Sequence, residues 1–273
     1  MSINHNPPQL RKGSAGSRPS RAILSLVLGR ARRERLAHFV RRFQRINWSP
    51  MAVVGLALFA VGIPESARAA LLGAIAARPF VAGMLLVFGL LALSLLFNGG
   101  QRIDAWVFLY VNFHGRHPHW LDRAMLAFTQ LGSAFAPILL GMAFFATGSS
   151  GLAYELLLGS LTLALTVELA KIIFRRSRPF VRLAQTRIVG YRARGRSFPS
   201  GHTSQAFYLA AMLVVHFHLA VGAAVTLYVL AGLVAVTRMY IGAHYPRDVL
   251  AGAILGSVWG LLGVILDANF VMK

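Results

Sequence analysis

The 273-residue chain has no cysteine. That excludes disulfides, thiol nucleophiles and cysteine-ligated metals. Acid is scarce too: 8 Asp and Glu stand against 28 Lys and Arg, a net charge of +20. No cluster of carboxylates of the kind magnesium wants can be picked out along the chain. Charge of either sign is thin, with 13% of residues charged and 56% hydrophobic, where soluble domains hold about one quarter charged residues. There is no internal repeat and no strand pattern with turn signals. These absences predict an all-α integral membrane protein. The basic excess would suit nucleic acid, but its placement argues against it. Eleven of the 28 cations lie in residues 1–50 and eight are arginines between Arg175 and Arg196. The first group flanks membrane spans and the second lies inside a motif region, so nucleic acid is not an expected partner.

Long apolar stretches dominate what is present. Six of them, at about 80–97, 131–147, 152–173, 203–219, 221–241 and 249–266, suffice to cross a bilayer. The expected architecture is a six-helix transmembrane bundle with interfacial helices. Residues 1–50 read as a basic, partly disordered cytoplasmic tail. Leu36, Phe39, Val40 and Phe43 recur there at helical spacing among arginines, which suits an amphipathic helix on anionic headgroups. The apolar run at 22–29 is bracketed by arginine, without a small-residue cleavage site, and is not read as a signal peptide. Residues 51–79 are ambiguous: a re-entrant or interfacial segment, or an extra span. Residues 80–273 hold all six predicted spans and are read as one domain. Between its first two spans, Asp104–Phe113 and Trp120–Phe128 look like aromatic-rich interfacial helices.

Three segments at the ends of the later spans carry the chemistry. Lys171 and Arg178 are seven residues apart, which predicts one helix face, and Pro179 follows as a stop. Arg175 and Arg176 read as headgroup-snorkelling residues. Ser200 suits an N-cap and Gly201 lets a ligand approach the free N–H groups of a helix start. His202, on that first turn, is an acid candidate. Arg238 ends the fifth span, Gly242 breaks it, and His244 stands one turn before Asp248, which can fix its tautomer. The turns at 148–151 and 219–221 close the opposite face, so all three segments share one side of the membrane. Elsewhere, Glu168 is expected to pair with Lys171, and Gln205 and Tyr208 line a lipid groove or the core. His114, His117 and His119 fit headgroup contact better than a metal.

Read in order, Lys171 with Arg178-Pro179, then Pro199-Ser200-Gly201-His202, then Thr237-Arg238 with His244 and Asp248, the pattern resembles the type 2 phosphatidic acid phosphatase superfamily. Its signature is K-x6-RP, PSGH and SR-x5-H-x3-D; here Thr237 replaces the usual serine. The resemblance implies roles. Lys171, Arg178, Arg238, Ser200 and Gly201 would bind phosphate. His244 would attack phosphorus and form a phosphohistidine, Asp248 would orient it, and His202 would protonate the leaving oxygen and then activate water. It implies no cofactor and no metal. The family shares its core with soluble vanadate-dependent haloperoxidases, for which this hydrophobic chain is a poor candidate.

The function expected is hydrolysis of a lipid phosphate monoester or diphosphate, with a lipid phosphate as substrate and membrane lipids as surroundings. A lipid-linked phosphotransferase using the same site, and a catalytically idle membrane binding protein, are the alternatives. A transporter would want charge near the bilayer midplane, whereas the motifs gather at one face. The arginines ahead of the first span predict a cytoplasmic N-terminus in a bacterial inner membrane, with the active site on the non-cytoplasmic face.

Overall fold

The computed structural model describes Val54, Gly62 and residues 64–76, 78–115 and 117–270. The tail and amphipathic helix expected within residues 1–50 lie outside these. Every element is helical: α1 (Glu65–Ala76), α2 (Pro79–Ser94), α3 (Asn98–Phe113), α4 (His119–Phe128), a 3-10 turn (Thr129–Gly132), α5 (Phe135–Ala146), α6 (Ser150–Phe174), a short α7 (Pro179–Arg182), α8 (Gly201–His216), α9 (Val221–Tyr240) and α10 (Pro246–Phe270). Each predicted span has its helix, in α2, α5, α6, α8, α9 and α10. The two predicted interfacial helices are α3 and α4. The ambiguous segment contributes α1, whose Ile75 packs with Val81 of α2 and Val258 of α10.

Length sorts these helices. At about 1.5 Å per residue, the 25 residues of α6 reach roughly 37 Å, more than the ~30 Å hydrocarbon core. The stretch Ser150–Arg182 and α9 are each long and apolar enough to cross alone. Two bent pairs qualify when joined, α2 with α3 at 97° and α4 with α5 at 55°. With 16 residues, α8 is about 24 Å long and falls short. It is also buried on nearly every side, from Thr203 to Met212. A helix buried on every side packs against its neighbours rather than against lipid.

Apolar contacts bind the ring of helices around α8. Leu156, Leu163 and Val167 of α6 meet Tyr208, Leu209 and Met212 of α8 and Leu255 of α10. On another side Ala206 and Ala210 face Ala231 and Val234 of α9. The closest approach is to α10, where Gly252, Gly256 and Gly260 form one stripe. A Cβ on Gly256 would collide with the Ser204 carbonyl, and one on Gly260 would lie 2.8 Å from the Tyr208 carbonyl. Small residues every fourth position let two backbones touch, as in membrane helix pairs generally. That contact sets the distance between the start of α8 and the start of α10. Outward, Leu86, Leu90 and Leu93 of α2, Leu158 of α6 and Val225 and Val229 of α9 are exposed as a lipid-facing surface.

Candidate active site

The third motif sits in the corner between α9 and α10. Gly242 takes φ +84, where an added Cβ would strike the Arg187 carbonyl, so only glycine fits the turn. The turn drops His244 into the interior at 3% exposure. Its Nδ1 lies 2.8 Å from the Ser197 carbonyl and its Nε2 lies 3.1 Å from Arg178 Nη1. Guanidinium can only donate, so Nε2 accepts and Nδ1 carries the proton, donating to Ser197. Burial first, then the Arg178 charge, push the imidazole down to about 3. His244 is therefore neutral near neutral pH, with its lone pair on Nε2.

Asp248 is fully buried on the first turn of α10. The sequence predicts that it takes a hydrogen bond from His244. Instead its Oδ2 is 3.7 Å from Nδ1, while the Ser197 carbonyl holds that proton. The carboxylate accepts from the Ser197 hydroxyl, from the Tyr245 N–H at 2.9 Å and from Arg176 Nη1 at 2.7 Å. The bond to Tyr245 is the N3-to-N-cap half of a capping box. Asp248 thus places a negative charge beside the ring without being its direct hydrogen-bond partner.

The first motif converges by a different route from the one its spacing suggests. Lys171 is on α6, but α6 stops at Phe174 and Arg175 turns left-handed at φ 46. Arg178 lies beyond the helix, extended at φ −72 and ψ 158. Pro179 disfavours the helical region for the residue before it, so the shared-face reading fails at Arg178. The reversal brings Arg178 back over the site. Four of its N–H groups are engaged, by the carbonyls of Arg194, Gly195 and Ala243 and by His244 Nε2. Lys171 Nζ bonds Glu168 at 2.6 Å, the expected pair, and would lie 3.9 Å from a Cβ on Gly201.

The second motif begins α8. Ser200 caps it, accepting from the Thr203 N–H at 3.5 Å and hydroxyl at 2.9 Å, and its own N–H donates to the Asp248 carbonyl. His202, one residue beyond Gly201, is within electrostatic range of Arg238, His244, Lys171 and Arg178. Arg238 donates from Nη1 to Thr129 at 2.8 Å, and its Nε has no partner. Of the eight candidate residues, Arg178 meets His244, Ser200 meets Asp248, and Lys171, Gly201 and His202 line one cleft, with Arg238 in electrostatic range of His202. Gln205 lines an adjoining cleft and bonds Ser160, whereas Tyr208 is core and bonds the carbonyls of Glu155 and Leu156.

Sequence reasoning missed the residues behind these. Arg176 is not a snorkelling residue: the left-handed turn at Arg175 sends it inward, to 8% exposure. It bonds Asp248, Asp104 and Gln101 and stacks on Tyr245 at 4.4 Å. Asp104 also accepts from Arg247 Nε at 2.7 Å. Two arginines and two aspartates thus balance in the interior. One signal was available: Asp104 is one of 8 acidic residues and stands in an apolar, aromatic stretch, where a carboxylate needs a partner.

The catalytic pocket has no such balance. Lys171, Arg178 and Arg238 are three cations, and the carboxylates in range of them are the part-exposed Glu168, paired with Lys171, and Asp248, whose oxygens are already engaged by Arg176, Ser197 and Tyr245. The remaining partners of Arg178 and Arg238 are neutral carbonyls, an imidazole and a hydroxyl. Buried cations without counter-ions are costly unless an anion completes the site.

Residues 152–271 match the PAP2 superfamily. The fold agrees. A transmembrane PAP2 type phosphatidylglycerolphosphate phosphatase of Bacillus subtilis superposes with a TM-score of 0.59 at 26% identity, over 70% of this chain and 96% of that one. LpxE of Aquifex aeolicus gives 0.53 at 28% identity, over 59% and 94%. In sequence, a lipid A 4'-phosphatase of Bacteroides thetaiotaomicron is 38% identical over 73 residues, 27% of this chain and 32% of that protein. The chain thus aligns with about a third of that relative's length.

Proposed function

We propose that the protein is a metal-independent phosphatase of the membrane, hydrolysing a lipid phosphate monoester or diphosphate through a phosphohistidine. The observation that carries this reading is the buried excess of cations beside a neutral histidine whose lone pair points at them. A phosphate dianion supplies the missing charge. Its oxygens take over the N–H of Arg178 that holds His244 Nε2, which frees that lone pair. Nε2 then attacks phosphorus, the bond to the lipid oxygen breaks, and protonated His202 gives that oxygen its proton. The phosphorylated ring keeps its Nδ1 proton on Ser197 and is cationic, which the nearby Asp248 carboxylate stabilises. Water next attacks phosphorus, His202 takes its proton, and phosphate leaves with the P–N bond broken. Preformed cations serve where other enzymes use a metal clamp.

A lipid substrate is supported by the cleft beside this pocket. It measures about 510 Å³, lies between α5, α6 and α8, and runs from Pro137, Leu157 and Leu161 to Lys171 and His202. Two of the relatives named above are a phosphatidylglycerolphosphate phosphatase and a lipid A 4'-phosphatase, and a monoester of either kind fits the same reading. We further propose six crossings, with the motif face non-cytoplasmic. Phosphate release from a panel of lipid phosphates tests the activity. Chelator should leave it intact, vanadate should inhibit, and acid quench should trap an acid-labile phosphoenzyme that His244→Asn lacks. Activity restored only by a divalent ion, or full turnover by His244→Asn, refutes the mechanism.

A further inference from the structure

We propose a second lipid site, outside the active site, that seats an anionic glycerophospholipid of the bilayer between α2 and the end of α6. A cleft of about 540 Å³ lies there, sharing no lining residue with the substrate cleft. Its walls are apolar: Phe88, Ala92, Leu93 and Leu96 from α2 and its end, Ile173 and Phe174 from α6. Leu93, Leu96 and Ile173 are 53%, 78% and 62% exposed, so the cleft opens onto the lipid-facing surface.

At the motif-face end it is lined by Arg175, Arg176 and Arg182. Arg175 and Arg182 are exposed and, among the described residues, neither is in an ion pair. Arg176 is buried and keeps Nε without a hydrogen-bond partner. An apolar slot capped by two cations without an ion pair, Arg175 and Arg182, is complementary to one kind of amphiphile, an acyl chain carrying a phosphate charge. A zwitterionic lipid would fill the slot but match the cap less well. The inner cap is Arg176, whose other nitrogens hold Asp248. The inference does not rest on the phosphatase reading, and its test reads binding rather than turnover.

The chain has no cysteine, so a single Leu90→Cys, one turn from Leu93 and outside the cleft lining, can carry a fluorophore. The full chain is placed in phosphatidylcholine bilayers containing brominated phosphatidylglycerol or brominated phosphatidylcholine at equal mole fraction. The anionic lipid should quench with saturation at the lower fraction. Arg175→Ala and Arg182→Ala should each weaken that preference about five-fold, the worth of one arginine near the surface. A label at Leu158→Cys, on a lipid-facing part of α6 away from the cleft, should show no preference. Equal quenching by both lipids at position 90, a preference that survives the double arginine variant, or quenching by neither because a second copy fills the cleft, would each overturn the proposal.

Discussion

The imidazole of His244 is held between one donor, Arg178 on Nε2, and one acceptor, the Ser197 carbonyl on Nδ1. Such a ring has a chemical cost in acid. In the unfolded chain it protonates near 6.5, and in the fold only near 3. The folded value is depressed, so its stabilising contribution is full above about pH 6.5 and is lost as pH falls toward 3. We expect His244→Asn, which cannot titrate, to gain thermal stability relative to the parent as pH drops from about 7 to 4.5. Parallel unfolding curves over that range would remove the depressed histidine. His202→Ala should slow alkyl phosphates far more than aryl phosphates, since only a poor leaving group needs its proton. Equal slowing of both would take His202 out of the acid role. The eight candidate residues stand out in the sequence through three motifs that resemble a family signature. Ser197 and Thr129 do not, because their contribution depends on where a loop and a 3-10 turn return in space.

Among the elements, the contact between α8 and α10 does most to set the geometry of the site. It carries Ser200 and His202 on one helix and Asp248 on the other. Gly256→Ala should cost about 1–3 kcal/mol by overpacking and lower activity with it, because the Ser204 backbone cannot yield as a side chain would. Gly232→Ala on α9, with nothing within 4 Å of its added Cβ, should be neutral or stabilising. Melting temperatures in detergent compare the two, and a Gly256→Ala variant as stable as Gly232→Ala would contradict the close contact. The helices themselves were legible as apolar runs, and the glycine stripe was present in plain spacing. The end of α6 was not legible. A helix pattern continues through Arg175 and Arg176, and only the backbone reversal there separates the snorkelling arginine from the buried one.

For the whole molecule, sidedness is open to a direct test. Arginines between residues 11 and 45 favour a cytoplasmic N-terminus, while the eight between Arg175 and Arg196 pull the other way. Several of the latter are consumed by folding: Arg176, Arg178 and Arg187 are held by carboxylates or carbonyls. Single cysteines at Ser17 and Gln185, treated with an impermeant thiol reagent in intact cells, report the two sides. Only the Gln185→Cys variant should react before lysis. Labelling at Ser17 instead would invert the bundle, and labelling at neither would put both inside.

The segment 194–197 serves the pocket almost wholly through its main chain. Arg178 is gripped by the carbonyls of Arg194 and Gly195, and His244 by that of Ser197. Carbonyls are the same in every residue, so selection acting on this loop sees length and backbone shape more than side-chain identity. Gly195, at φ +75, is bound to its residue type by conformation, and Ser197 by its hydroxyl on Asp248. Positions 194 and 196 are released from both constraints. In a drifting lineage they are free to vary without disturbing His244, whereas one inserted or deleted residue would unseat Arg178 and His244 together.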